Sequence, residues 1–115
     1  MDAKFYVPYE TARELRLKGY PQNTDTWYAE TAKGVRTYNK PSANYESIAR
    51  PTYHEVLDWI FNKEYNIGVR MIPNTTDWYP ILIKKGVDDY IFPGGYYTTR
   101  EDALNAAILE TLKRI

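Results

Sequence analysis

Two amphipathic helical patterns in the second half of the chain constrain its fold most. They cover residues 52–65 and 99–114, and each carries a stripe of apolar side chains at helical spacing. Such a stripe must be covered by a sheet or by another helix. Because the residues between the two patterns favour strands, we predict that both helices pack on one face of an antiparallel sheet.

Each of these helices has a start signal. Thr52 is followed three residues later by Glu55, and Thr98 by Glu101, which is the spacing of a capping box. In a capping box each side chain binds a backbone N–H that the helix leaves unpaired. The first of the two helices is predicted to end near residues 65–66.

Three short segments between the helices have strand character. Residues 67–72 and 78–83 are rich in aromatic and β-branched side chains and are separated by the turn-type sequence of residues 73–77. The pattern leaves two or three strands open, the third at residues 90–92. Since proline has no N–H to donate, we expect Pro80 at a sheet edge or at a bulge.

The first half of the chain predicts a helix and a β-hairpin. The helix covers residues 8–18 and stops at Gly19, which tolerates the left-handed backbone common after a helix. The hairpin consists of residues 26–31 and 35–38 around a short glycine-containing turn. The polar, proline-containing residues 39–44 are predicted to be a loop.

These elements amount to one α+β domain over residues 1–115, with three helices, a β-hairpin and a small antiparallel sheet. A length of 115 residues suits a single core. The chain has no cysteine, so disulfides, thiolate zinc sites and cysteine nucleophiles are excluded. The core must therefore hold the fold by itself.

Charge and hydropathy argue against two classes of partner. Residues 1–50 contain eight Lys or Arg against six Asp or Glu, and residues 51–115 contain seven against nine. Neither half has the positive excess that typifies a nucleic-acid-binding surface. No segment approaches the roughly 18 apolar residues that span a bilayer. We expect a cytoplasmic protein with no membrane partner, for which nucleic acid is disfavoured.

The ionisable and glycine-rich patterns have structural explanations. His54 and Asp58 have the spacing of a surface pair on a helix. The adjacent carboxylates at residues 88–89 and 101–102 suit a polar turn and a helix N-terminus. The Pro-Gly-Gly sequence at residues 93–95 lacks the spacing of a phosphate-binding loop and favours a tight turn. We therefore assign no catalytic, metal or cofactor-binding residue and predict that the chain is not an enzyme.

Aromatic residues are the best candidates for a binding surface, since the chain has twelve Tyr and three Trp. Trp78 and Tyr79 begin a predicted strand, and Tyr96 and Tyr97 lie between a glycine turn and the last helix. Strand alternation points one ring of each pair inward and the other outward. Outward rings that meet at one sheet edge would form a patch of the kind that carries interface hot spots. The alternative is that all four rings complete the core.

The order helix, strands, helix over residues 52–115 resembles that of double-stranded-RNA-binding domains. Their last helix opens with the motif Lys-Lys-x-Ala-Lys, and the matching stretch here begins at Arg100. Arg100 and Ala103 keep the pattern, whereas Glu101 and Leu104 replace two lysines that face phosphates. The resemblance implies a similar topology, but without those cations we expect no such RNA-binding activity.

Three phrases of the sequence are similar to short proteins of gut Bacteroidetes and their phages that have no assigned activity. They are YETARELRLKGY at residues 9–20, ARPTYHEVLDWI at residues 49–60 and YTTREDALNAA at residues 97–107. This resemblance implies a phage or mobile-element origin, with the cytoplasm of a bacterial host as the location. It implies no mechanism.

The predicted function is binding rather than catalysis. We expect a non-enzymatic accessory protein that binds a host or phage protein, or forms a homo-oligomer, through the aromatic residues at 78–79 and 96–97. The first alternative is a small-molecule-binding, sponge-type domain with a tyrosine-lined pocket. The second is a nucleic-acid-binding module.

Overall fold

The computed structural model describes residues 3–87, 90–91 and 93–115. Over these residues the fold is α+β, as predicted, with three α-helices and two three-stranded antiparallel sheets. The chain divides into two compact units, Met1–Thr52 and Tyr53–Ile115, and each unit has its own sheet. The interpretation of residues 1–115 as one domain stays a prediction.

The first unit combines one helix with one sheet. Its elements are a 3₁₀ turn at Ala3–Phe5, helix α1 at Tyr9–Leu17, and strands β1 at Trp27–Thr31, β2 at Gly34–Tyr38 and β3 at Ser47–Ala49. The strand order is β2-β1-β3, both pairings are antiparallel, and α1 packs against β3.

Helix α1 agrees with the predicted helix to within one residue at each end. Pro8 is the N-cap, in an extended conformation, and Gly19 follows the helix with a φ of +91°. The Tyr20 N–H bonds the Leu15 carbonyl oxygen at 3.0 Å, which closes the last turn. The side chains of Ala12 and Leu15 are buried, as their spacing predicts.

The predicted hairpin is confirmed, and it has a third strand that the sequence did not indicate. β1 and β2 pair along their whole length. β3 lies on the other side of β1 and has only three residues, too few to show a recognisable alternation. The Ala49 N–H of β3 donates to the side-chain oxygen of Gln22 at 2.8 Å. This backbone group of β3 is therefore satisfied by a side chain from outside the sheet.

Aromatic rings cluster where the segment before α1 meets this sheet. The Tyr9 and Tyr28 rings meet edge to face, with centres 5.6 Å apart. The Arg50 guanidinium lies 3.9 Å from the centre of the Tyr6 ring and 5.4 Å from that of Tyr28. The buried Nε of Arg50 has no hydrogen-bond partner among the described residues. The guanidinium is attracted to the two rings, while its Nε–H is left without an acceptor within the described part of the chain.

The second unit consists of two helices and a three-stranded sheet, and the strands lie between the helices in the order of the chain. Its elements are helix α2 at Tyr53–Asn62, strands β4 at Tyr65–Met71, β5 at Trp78–Lys84 and β6 at Tyr90–Ile91, and helix α3 at Arg100–Arg114. The strand order is β4-β5-β6, and both pairings are antiparallel. β6 falls within the predicted strand at residues 90–92, of which Phe92 lies outside the described residues.

Helix α2 is shorter than predicted. Its end was expected near residues 65–66, whereas it ends at Asn62, and Glu64 adopts a left-handed conformation with a φ of +73°. The Glu64 N–H bonds a carbonyl oxygen three residues back at 3.1 Å, so the chain leaves the helix in a tightened turn. The physical reason is that Tyr65 already belongs to β4, where it pairs with Lys84.

The two helices pack on one face of this sheet, as predicted. α3 contacts β4 and β5, and α2 contacts β4. The apolar stripe of α2 includes Val56, Leu57, Ile60 and Phe61. The side chains of Val56 and Ile60 are fully buried and Leu57 is half-buried, whereas Phe61 is 65% exposed. The buried residues of α3 are Ala103, Leu104, Ala107, Ile108, Thr111 and Leu112.

Helix α3 is capped one residue later than predicted. Thr99 is the N-cap, and its hydroxyl oxygen accepts the Asp102 N–H at 3.1 Å. The predicted capping box of Thr98 with Glu101 is therefore wrong. Consecutive threonines followed by consecutive carboxylates offer the same spacing twice, and spacing alone cannot choose between them.

Candidate binding groove

The aromatic pairs named from the sequence meet through two backbone hydrogen bonds. The Trp78 N–H donates to the Tyr97 carbonyl oxygen at 2.7 Å, and the Tyr97 N–H donates to the Trp78 carbonyl oxygen at 2.8 Å. Opposed residues of an antiparallel pair share a face, and their chain neighbours point to the other face. Trp78 and Tyr97 therefore face one side of the sheet, and Tyr79 and Tyr96 face the other.

Among the described residues, the ladder of β5 is interrupted at Pro80, between this bridge and β6. β5 pairs with β6 at Leu82 and Ile83, and the bridge at Trp78 is the next pairing on that side. Pro80 pairs with Val69 of β4, while its other side faces the interruption, where its missing N–H costs no hydrogen bond. The edge position expected for Pro80 is wrong, because β5 is the middle strand. The other expectation, a bulge, stays a prediction, and the described pairings place Pro80 at the interrupted stretch of the ladder.

A groove of about 470 Å³ lies at this interruption. Its lining residues are Ile72, Pro73, Tyr79, Pro80, Pro93, Gly94, Gly95 and Tyr96. None of these side chains carries a charge. We call this surface the Tyr79–Tyr96 groove. Tyr79 and Tyr96, which point to the same side of the sheet, both line it, whereas Trp78 and Tyr97 do not.

The two tyrosines of the groove differ in exposure. The Tyr96 side chain is 71% exposed, and its hydroxyl makes no hydrogen bond to any described residue. Tyr79 is half-buried in the floor beside Pro80. A large ring that stays in water beside an apolar floor is available to a ligand without any loss of internal packing.

The Tyr97 side chain packs against the part of the groove wall formed by Gly94 and Gly95, although Tyr97 does not itself line the groove. The Tyr97 hydroxyl donates to the Gly94 carbonyl oxygen at 3.3 Å. Gly95 has a φ of +103°, and a Cβ at this position would lie 3.2 Å from the Tyr97 hydroxyl oxygen. A side chain at Gly95 would therefore be strained and crowded, so that glycine is required where the wall passes over the Tyr97 ring.

The other features noted in the sequence form no site among the described residues. His54 and Asp58 make a surface pair with 3.6 Å between Nε2 and Oδ2, and both are exposed. Glu101 and Asp102 lie in the first turn of α3, while the carboxylates at residues 88–89 lie outside the described residues. Within residues 3–87, 90–91 and 93–115, no three acidic or histidine side chains are grouped so as to hold a metal ion.

No described helix has the length and apolar character needed to cross a bilayer. Comparisons of the chain with protein-family models, with curated proteins and with solved structures find no match. The function is therefore inferred from the geometry of the groove. The resemblances to double-stranded-RNA-binding domains and to proteins of gut Bacteroidetes and their phages stay predictions.

Proposed function

We propose that this chain is a non-enzymatic binding protein whose Tyr79–Tyr96 groove holds a short, extended, proline-containing segment of a partner protein. The observation that carries the proposal is the lining itself, in which two tyrosines and three prolines form an uncharged, largely apolar surface. Aromatic-lined grooves suit polyproline segments, because these are already extended before binding and lose little conformational entropy.

The size and charge of the groove restrict the class of ligand. A volume of about 470 Å³ accepts a few residues of an extended chain. It is too small for an α-helix, which is roughly 10–12 Å across with its side chains. The uncharged lining favours apolar side chains over carboxylates or phosphates, since a buried charge would have no counter-charge there. A prolyl ring stacked on Tyr96 would bury the most exposed aromatic surface of the groove.

A small uncharged aromatic molecule is the second candidate ligand. The groove volume lies within the range of roughly 300–1,000 Å³ typical of small-molecule sites, and Tyr79 and Tyr96 offer ring faces for stacking. This is the sponge-type alternative. A nucleic-acid ligand is disfavoured, because the lining has no cation to neutralise phosphate.

The proposal is tested with an immobilised set of short proline-containing peptides, each paired with a copy in which alanine replaces proline. We expect binding that needs the prolines and that weakens about tenfold or more in Tyr96→Ala, the loss usual for an aromatic hot spot. Phe61→Ala is the matched control, because Phe61 is similarly exposed in the same unit but does not line the groove.

Native mass spectrometry of the purified protein separates the two candidates. A small molecule that is retained by the wild type and lost in Tyr96→Ala would replace the peptide proposal by the second candidate. Equal effects of Tyr96→Ala and Phe61→Ala on either ligand would rule out the groove as the binding surface.

A further inference from the structure

Strand β2 is an open edge of the first sheet. The order β2-β1-β3 leaves no described strand on its outer side, and its residues from Gly34 to Thr37 are all exposed. On such an edge, alternate residues direct their N–H and C=O groups away from the sheet. These groups are a ready template for a further strand.

The surface around this edge is positively charged. Residues 31–45 contain Lys33, Arg36 and Lys40 and no Asp or Glu. The flanking Glu30 and Glu46 are engaged elsewhere, by the hydroxyl of Tyr9 and the guanidinium of Arg16. All three cations are exposed, and none forms an ion pair with a described residue. This edge therefore holds unneutralised charge in addition to unpaired backbone groups.

A depression of about 390 Å³ lies beside the same edge. Lys33 and Arg36 line it together with the rings of Tyr38 and Tyr45. The loop that presents Tyr45 is held by the Ser42 hydroxyl oxygen, which accepts the Tyr45 N–H at 3.3 Å. The depression thus has a defined wall, and it places two cations and two aromatic rings next to the strand edge.

We propose that β2 accepts an extended acidic segment of a partner protein as a fourth strand of this sheet. Backbone hydrogen bonds to the outer edge of β2 would supply affinity, as in other cases of strand addition. Asp or Glu side chains of the segment would neutralise Lys33 and Arg36. This is a second surface, independent of the Tyr79–Tyr96 groove. Its proposed ligand is acidic, whereas that of the groove is apolar and uncharged.

Charge decides against a second copy of this chain as the added strand. Antiparallel self-pairing over the whole of β2 places Arg36 opposite its own copy, since Gly34 then meets Tyr38. Like charges directly opposed across two strands are destabilising. An acidic side chain placed opposite Arg36 is attracted to it, whereas the Arg36 of a second copy is repelled.

The test uses the full chain and a fluorescent peptide of alternating Glu and Val. We expect binding that weakens with added salt and falls about tenfold or more in the double variant Lys33→Glu/Arg36→Glu. The double variant Lys84→Glu/Lys85→Glu is the matched control, since it makes the same change in net charge at two exposed lysines of the other unit. It should keep the affinity of the wild type.

Further probes identify strand addition. A copy of the peptide with alternate amides N-methylated should bind far more weakly, because it cannot pair with the strand edge. Equal binding of the methylated copy, or an equal loss in both double variants, would overturn the proposal. So would tighter binding of a single-stranded oligonucleotide than of the acidic peptide, or sedimentation showing a dimer that Lys33→Glu/Arg36→Glu dissociates.

Discussion

The phenol of Tyr28 donates a hydrogen bond of 2.6 Å to the carbonyl oxygen of Val7. Val7 is fully buried and Tyr28 is 9% exposed, so the bond lies inside the first unit. Tyr28 belongs to β1, the middle strand of its sheet. A side chain of the sheet thus fixes the backbone of the segment that leads into α1.

Tyr28→Phe should lower the free energy of unfolding by about 1–3 kcal/mol, because it leaves the buried Val7 carbonyl without this donor. Urea denaturation measures the change. Tyr45→Phe is the control, since the Tyr45 ring is exposed and its hydroxyl makes no hydrogen bond to a described residue. It should change stability by no more than about 0.5 kcal/mol. Equal losses in the two variants would contradict the assigned role of the Tyr28 hydroxyl.

Thr99→Ala should destabilise the protein by about 0.5–2 kcal/mol, because it removes the side-chain acceptor for the Asp102 N–H at the start of α3. Thr98→Ala should have little effect, since Thr98 is exposed and precedes the cap. Thermal denaturation of the two variants gives the comparison. If Thr98→Ala destabilised the protein more than Thr99→Ala, Thr98 would be the N-cap, as its spacing from Glu101 predicted.

Ile108→Ala should cost about 2–5 kcal/mol, the range for deleting a large aliphatic side chain from a core. Ile108 is fully buried in α3, whereas Leu57 in α2 is half-buried. Leu57→Ala should therefore cost clearly less than Ile108→Ala. Chemical denaturation of both variants, with unchanged circular dichroism as the check on folding, measures the difference; a larger loss for Leu57→Ala would mean that the helix faces are misassigned.

Stability at alkaline pH should depend on Tyr9. Burial and a 3.2 Å hydrogen bond to Glu30 raise the pKa of the Tyr9 phenol above its usual value of about 10. The folded state then holds this proton more tightly than the unfolded state. The resulting stabilisation is fully present below pH of about 10 and is lost as the pH rises through the folded-state pKa.

The measurement is the difference in unfolding free energy between the wild type and Tyr9→Phe as a function of pH. We expect a constant difference up to pH of about 10 and a decline of the wild type relative to the variant above it. All other side chains are common to the two proteins, so their contributions cancel in the difference. A difference that stays flat, or that grows with alkaline pH, would contradict the raised pKa.

Local patterns predicted the elements whose stabilising contacts lie close in sequence. The helix stop at Gly19 and the hairpin of β1 and β2 follow from neighbouring residues alone. The end of α2 did not, because the pairing of Tyr65 with Lys84 joins residues far apart in the chain. Strand β3 was missed for the same reason, since its partners are β1 and the side chain of Gln22.

The candidate groove was predictable in part. Strand alternation separates the two rings of each pair, but only the bridge between Trp78 and Tyr97 in the structure shows that Tyr79 and Tyr96 share a side. The contribution of Pro73 and Pro93 was not predictable, because each has a sufficient local explanation as a turn residue. Their convergence on Pro80 depends on where the ladder of β5 breaks off, which is a property of strand pairing and not of composition.

The strand pairings of each sheet also set the order in which the chain can fold during synthesis. Every strand of the first sheet lies within residues 27–49, and the 63 residues of the second unit follow it. At about 5–20 residues per second, a ribosome needs roughly 3–13 s to add them. Hairpins form in about 1–10 μs, so β1 and β2 have ample time to pair before α3 exists.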